Sequence, residues 1–134
     1  MEVDWKGGGK TMKVVHRITD AEREVMEVLW RDSEAVQTRV LLELMKEKGK
    51  SWKRQTLNTI LFRLEERGIV SRKRAYVQAA MSREALLQAQ TREILEEYYG
   101  GKAANFFAAF IGNPNLTPED IGRLDALLEE LKNK

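Results

Sequence analysis

Between Ser51 and Gly68 the chain sets Lys53, Arg54, Gln55, Thr56, Asn58, Thr59 and Arg63 around a segment whose Leu57, Ile60, Leu61 and Leu64 recur at helical spacing. The apolar set predicts one buried stripe of a helix. The polar set is left outside, and no acid interrupts it before Glu65. Asn and Gln amides can pair with an adenine edge, an arginine fork with guanine and hydroxyls with several bases, while lysine and arginine also pair with phosphates. Arg54, Gln55, Asn58 and Thr59, with Thr56 beside them, are the expected major-groove contacts. Lys53 and Arg63, with Arg72, Lys73 and Arg74 downstream, are expected on phosphates, each adding to the salt dependence of binding. Arg63 has an alternative partner in Glu66, three residues on. The alternative reading of the whole face is an ordinary solvated helix surface.

Such a helix needs a frame. Gly68 stands where a left-handed cap would end it. Ile69-Val70 and Tyr76-Val77 then predict two short paired strands joined by a basic connection, Ser71 to Ala75, in the manner of a wing. Upstream, Thr19 and Glu22 have capping-box spacing and predict a helix start. Val25, Met26, Val28, Leu29 and Trp30 form that helix's buried side, and Asp32-Ser33-Glu34 breaks it. A second helix is expected from Gln37 to Lys48, with Val40, Leu41, Leu44 and Met45 inward and Gly49 as its stop. Three short helices with short turns predict a helix-turn-helix core. Trp30 and Trp52 are assigned to packing. His16, ahead of the first cap, is read as a solvated linker residue.

After Met81 the pattern changes to longer helices. Ser82 is the expected N-cap of a helix reaching Tyr99, with Leu86, Leu87, Ile94, Leu95 and Tyr98 apolar. Gly100-Gly101 ends it. Residues 102–111 are almost wholly apolar after Lys102, a composition that requires burial on several sides. Thr117-Pro118 is a strong helix start, and Leu124, Leu127, Leu128 and Leu131 continue that helix. Leu86, Ile94, Leu95, Tyr98, Phe106, Phe107, Phe110, Leu124 and Leu128 are the expected contacts with a second copy, with Tyr99 beside Tyr98. They are too many apolar groups for a free surface. The predicted organisation is a flexible lead over 1–11 (Gly7-Gly8-Gly9, with Trp5 free to dock), a winged-helix DNA-binding domain over 12–80 and a helical dimerisation region over 81–134. The fold class is mainly α with a small β-wing.

Composition narrows the function. The net charge of +2 over 134 residues conceals an asymmetry: residues 51–80 hold seven basic and two acidic side chains, whereas residues 81–134 hold six and nine. A polyanion partner for the first part follows most simply. The chain has no cysteine, which excludes disulfides and thiolate metal sites and fits a reducing cytoplasm. With one histidine, a zinc site of the usual ligands lacks material. No apolar run reaches the roughly 18 residues that span a bilayer, and the first residues lack the apolar core of a signal peptide. No P-loop, Gly-x-Ser-x-Gly or His-Glu-x-x-His is present. Glu93 and Glu97 read as a solvated face, so neither an enzyme nor a cofactor is expected.

ITDAEREVMEVLW (residues 18–30), the segment from Trp52 to Arg63 and LEERGIV (residues 64–70) together resemble the penicillinase-repressor family of bacterial winged-helix proteins. RAYVQAAMSREALLQ (residues 74–88) is similar to that family's second wing strand and the start of its dimerisation helix. NPNLTPEDIGRLDALLEEL, after an apolar stretch, looks like its last helices. The resemblance implies a homodimer with interlocking C-terminal helices that represses transcription from a two-fold symmetric, double-stranded DNA operator. The sequence departs from the family pattern in three ways. Lys53 stands where members commonly carry a small polar capping residue. The stretch from Gly68 to Tyr76 is a few residues short and lacks a glycine at the wing tip. The cysteines through which some relatives sense metal are absent. Other relatives are inactivated by a sensor protease that cuts near an Asn-Phe bond. Asn105-Phe106 matches those letters, although alignment puts the equivalent bond at Ala109-Phe110. The reading from a different functional class is a winged-helix module that binds a protein and no specific DNA.

Overall fold

Thr19 starts the first helix as its spacing predicts. Its hydroxyl accepts from Glu22 N at 3.1 Å, and the Glu22 carboxylate accepts from Thr19 N at 2.8 Å. In this computed structural model, which describes residues 15–32 and 34–134, the helices are α1 (Asp20–Arg31), α2 (Thr38–Glu47), α3 (Arg54–Glu66), α4 (Arg83–Tyr99), α5 (Ala103–Ile111) and α6 (Pro118–Lys132). The strands are β1 (Val36–Gln37), β2 (Val70–Lys73) and β3 (Tyr76–Ala79). The expected lead and Trp5 lie outside the described residues.

Val25, Met26, Val28 and Leu29 of α1, Leu41 and Met45 of α2 and Leu57, Leu61 and Leu64 of α3 meet in one core, closed by Ile69, Val70 and Val77. Of the inward positions expected on α2, Val40 is exposed and Leu44 only half-buried. Gly68, at φ 74, takes the left-handed turn after α3 that sends the chain into β2. Trp30 and Trp52 pack half-buried against the core, and the Trp30 indole donates to Met81 O at 2.9 Å.

The hairpin is longer in its strands and tighter in its turn than expected. Ser71, Arg72 and Lys73 belong to β2, and only Arg74 and Ala75 make the turn. Arg74 takes φ 60 there, a left-handed conformation that glycine supplies at lower cost. A third strand had no signal in the sequence: Val36 and Gln37 pair antiparallel with Val77 and Tyr76, giving a sheet in the order β1-β3-β2. The turn is also tied down, since Ala75 O accepts from Thr38 N at 2.8 Å and from Thr38 Oγ1 at 3.2 Å. The carbonyl of the wing tip therefore does for the start of α2 what its uncapped N-cap, Gln37, does not.

Ser82 caps α4 by accepting from Ala85 N, and α4 ends in two left-handed glycines, Gly100 (φ 62) and Gly101 (φ 75). Thr117 and Asp120 form a capping box at α6, with Pro118 in its first turn. α5 and α6 contain no buried residue in the single chain. A cut after residue 80 follows the end of the sheet, but the core crosses it. Leu86 of α4 is 3 % exposed and packs with the helix-turn-helix core.

Candidate nucleic-acid interface

The outer face of α3 is built from a helix whose inner side is completely buried. Leu57, Leu61 and Leu64 have no exposed surface, so the helix cannot rotate about its axis without exposing them. Gln55, Asn58, Thr59 and Phe62 share the opposite side at helical spacing, with Arg54, Thr56 and Arg63 on its flanks. All of these are exposed. Phe62, passed over in the sequence, is 53 % exposed. Its position, four residues after Asn58 and three after Thr59, was the available signal. Its ring can meet a thymine methyl or a sugar. The Thr59 hydroxyl donates to Gln55 O at 3.0 Å, so it offers a partner its methyl and its acceptor lone pairs.

The first turn of α3 is open. Lys53 occupies the N-cap in extended conformation (φ −82, ψ 161) without a side-chain cap bond. The leading amides of α3 therefore await an acceptor, and a phosphate suits both their hydrogens and the helix dipole. The Lys53→Ser variant tests this arrangement. A hydroxyl cap stabilises the fold by about 1 kcal/mol, read as a higher melting temperature, while the lost cation lowers the salt slope of DNA binding by about 1. A slope unchanged by the substitution would remove Lys53 from the interface.

The cations expected on phosphates divide into two groups. Lys53, Arg54, Arg63, Lys73 and Arg74 are exposed and, among the described residues, make no ion pair. The alternative Arg63–Glu66 pair is therefore not formed. Arg72 differs. Its register opposite Val77 turns its side chain toward α3, where Nε and Nη2 donate to Glu65 Oε1 at 3.2 and 3.1 Å. Arg72 ties the hairpin to α3 and leaves the free cationic set. The other face of the sheet carries a polar chain that the sequence did not reveal: Arg39 Nη2 donates to Gln37 Oε1 at 2.9 Å, and Gln37 Nε2 donates to the Tyr76 hydroxyl at 3.1 Å. Lys73 lies on the same face as Tyr76, its pairing partner.

The groups expected to meet a second copy also divide. Leu86 is only 3 % exposed and packs into the chain's own core. The other side of α4 presents Leu87, Ile94 and Tyr98, all exposed. Leu87, the residue next to Leu86, is 61 % exposed. Leu95 is half-buried. Phe106 sits at the centre of an aromatic group, 5.5 Å edge-on to Tyr99 and to Phe107 and 5.8 Å stacked on Phe110. These rings and Leu124 are only half-buried, and Leu128 is 44 % exposed. Asn105-Phe106 and Ala109-Phe110 both lie inside α5.

At the root of α4, Arg83 donates to both carboxylate oxygens of Glu27 and lies 4.6 Å over the Trp30 ring. The hydrogen bond from Arg83 holds the Glu27 carboxyl below the usual carboxylate range. No helix of the described residues is long and apolar enough to cross a membrane, and none of their acidic or histidine side chains cluster as a metal site would require.

A family model described as penicillinase repressor matches residues 18–130. The penicillinase repressor of Bacillus licheniformis is 32% identical over 127 residues, covering 92% of this chain and 98% of that protein. An uncharacterized 16.5 kDa protein in the ptsI 3' region of Latilactobacillus sakei is 30% identical over 118 residues, 84% of this chain and 79% of its own. The match spans every helix and strand described above up to the last turn of α6, and on it the chain belongs to the penicillinase-repressor family of winged-helix transcriptional regulators.

Proposed function

We propose that this protein represses transcription by binding, as a homodimer, a two-fold symmetric operator in double-stranded DNA. The observation that carries the reading is the outer face of α3: Arg54, Gln55, Asn58, Thr59 and Phe62 exposed together on a helix whose opposite side is locked into the core. In this mechanism α3 enters the major groove, its open first turn and Lys53 take a phosphate, and Arg63, Lys73 and Arg74 hold the flanking backbone. The second copy, joined through α4, α5 and α6, sets a second α3 one helical turn of DNA away, about 34–36 Å. A promoter covered in this way is closed to polymerase. The protein works in the cytoplasm, where its DNA is. Release by a sensor protease requires α5 to unwind first, because both candidate bonds are helical and proteases act on locally opened chain.

Selection of bound duplexes from a random pool, followed by affinity at two salt concentrations, tests the reading. A palindrome should be enriched, and log affinity should fall with log salt by about 0.9 per phosphate contacted. Asn58→Ala should cost about 1–3 kcal/mol and relax the preference at one position of each half-site. Weak binding without a motif would overturn the reading in favour of a protein-binding module.

A further inference from the structure

Residues 15–19, just before α1, are bonded both to α4 and to the end of α3. His16 makes three hydrogen bonds to α4. Its backbone amide donates to Glu93 Oε1 at 2.9 Å, its ring Nδ1 meets Glu93 Oε2 at 2.7 Å, and its carbonyl accepts from Gln90 Nε2 at 2.8 Å. One residue on, Arg17 O accepts from Arg67 Nη1 at 2.6 Å, and Arg67 also pairs with Glu22 at the start of α1. Ile18 is buried in the core. This short strap is therefore not a solvated linker, as the sequence suggested for His16.

The other holds on α4 are close to its root. They are the Trp30–Met81 hydrogen bond, the Arg83–Glu27 pair and the buried side chains of Leu86 and Ala89. Glu93 lies about 15 Å along the helix from Arg83, at 1.5 Å per residue. Among the described residues it makes the hydrogen bond farthest along α4 to any part of the chain preceding that helix. A helix held only at its root can pivot, and a second hold further along removes that freedom.

We propose that the strap fixes the angle between the winged body and α4, and so fixes the separation of the two recognition helices, with His16, Gln90 and Glu93 as positioning residues. The consequence for DNA rests on the dimeric reading above; the fixed angle does not. A dimer whose recognition helices are rigidly spaced discriminates sharply between operators of different half-site separation, because avidity is lost when geometry forbids simultaneous engagement.

The test uses the full chain, which has no cysteine of its own. Spin labels are placed at Glu47→Cys on the winged body and Glu97→Cys on α4. Labelled chains are diluted with unlabelled ones, so that only the distance within one chain is read. That distance distribution should be narrow in the parent, broad in Glu93→Ala and Gln90→Ala, and narrow again in Glu93→Gln, whose amide can still accept from the His16 amide. On DNA, insertion of one base pair between half-sites should weaken the parent roughly 10²-fold and Glu93→Ala less than about tenfold. Binding to an isolated half-site should be unchanged. A Glu93→Ala distribution as narrow as the parent's, or a parent already as broad as the variant, would overturn the proposal. If no operator is recognised by any variant, the repressor reading falls, and the distance measurement still judges the strap.

Discussion

Leu128→Glu should leave the winged body folded, make the protein monomeric and lower operator affinity by roughly 10²–10⁴. The expectation comes from α6. Ile121, Leu124, Leu128 and Leu131 repeat at three- and four-residue spacing along one side of that helix, yet in the single chain only Leu124 is even half-buried. Leu131 is 64 % exposed, and on α4 Leu87 and Tyr98 are exposed to a similar degree. Each of these side chains is already partly covered, so burying the remainder is worth roughly 1–2 kcal/mol, and several from each of two copies together outweigh the loss of translational and rotational freedom on association. A carboxylate at 128 would be buried without a partner in such an interface, which is costly. In the free chain it would face water, since α6 has no buried residue and supplies none to the core. Sedimentation velocity reads the assembly, and circular dichroism reads the fold. Glu130→Ala, on the same helix but outside the stripe, should change neither. A Leu128→Glu protein that stays dimeric would move the interface off α6. The DNA effect follows from linkage: two half-sites engaged together bind with an effective concentration that a monomer lacks.

What the sequence disclosed and what it withheld separate by range. Capping is local chemistry, and Thr19 with Glu22, Ser82, and Thr117 with Pro118 each announced a helix start within four residues. The outer face of α3 was legible for the same reason, because a 3.6-residue period sorts Leu57, Leu61 and Leu64 from Gln55, Asn58 and Thr59. β1 was not legible, because two residues cannot display alternation; Val36 and Gln37 form a strand only because β3 lies alongside. Arg72 looked like its neighbours Lys73 and Arg74 until the register turned it inward to Glu65. Leu86 and Leu87 are both apolar, and the weak amphipathicity of α4 does not say which one goes in. The decision belongs to the core it docks against. His16 is the extreme case, with its partner 77 residues away. Arg54, Arg63 and Arg74, unpaired among the described residues, and the engaged Arg72 carry the same letter in the sequence, so the membership of the phosphate set was open while the polar face itself was not.

Glu22→Ala should cost about 3 kcal/mol and lower the melting temperature by roughly 10 °C. From sequence, Glu22 was one half of a capping box, a device typically worth about 1 kcal/mol. In the fold it is the one charged side chain of the buried set among the described residues, 4 % exposed, and it has two duties. One oxygen accepts from Thr19 N at 2.8 Å; the other accepts from Arg67 Nη2. Arg67 closes α3 and reaches further, donating from Nε to Arg63 O at 3.0 Å and from Nη1 to Arg17 O at 2.6 Å. Glu22 thus joins the start of α1, the end of α3 and the strap. Removing it leaves a guanidinium confined beside the core without its counter-charge, and uncompensated buried charge is what makes a broken buried pair cost about 3–5 kcal/mol. The value should fall at the low end, because Arg67 keeps part of its surface in water and its two carbonyl partners. Glu22→Gln separates the contributions. Its carbonyl oxygen can still cap Thr19, but its amide hydrogens face the guanidinium, so the variant should lose the pairing with Arg67 and retain the cap. Its melting temperature should fall between those of the parent and the alanine variant. If alanine and glutamine both cost no more than the cap alone, Arg67 would be held by its carbonyl contacts, and the ion pair would contribute nothing to the fold.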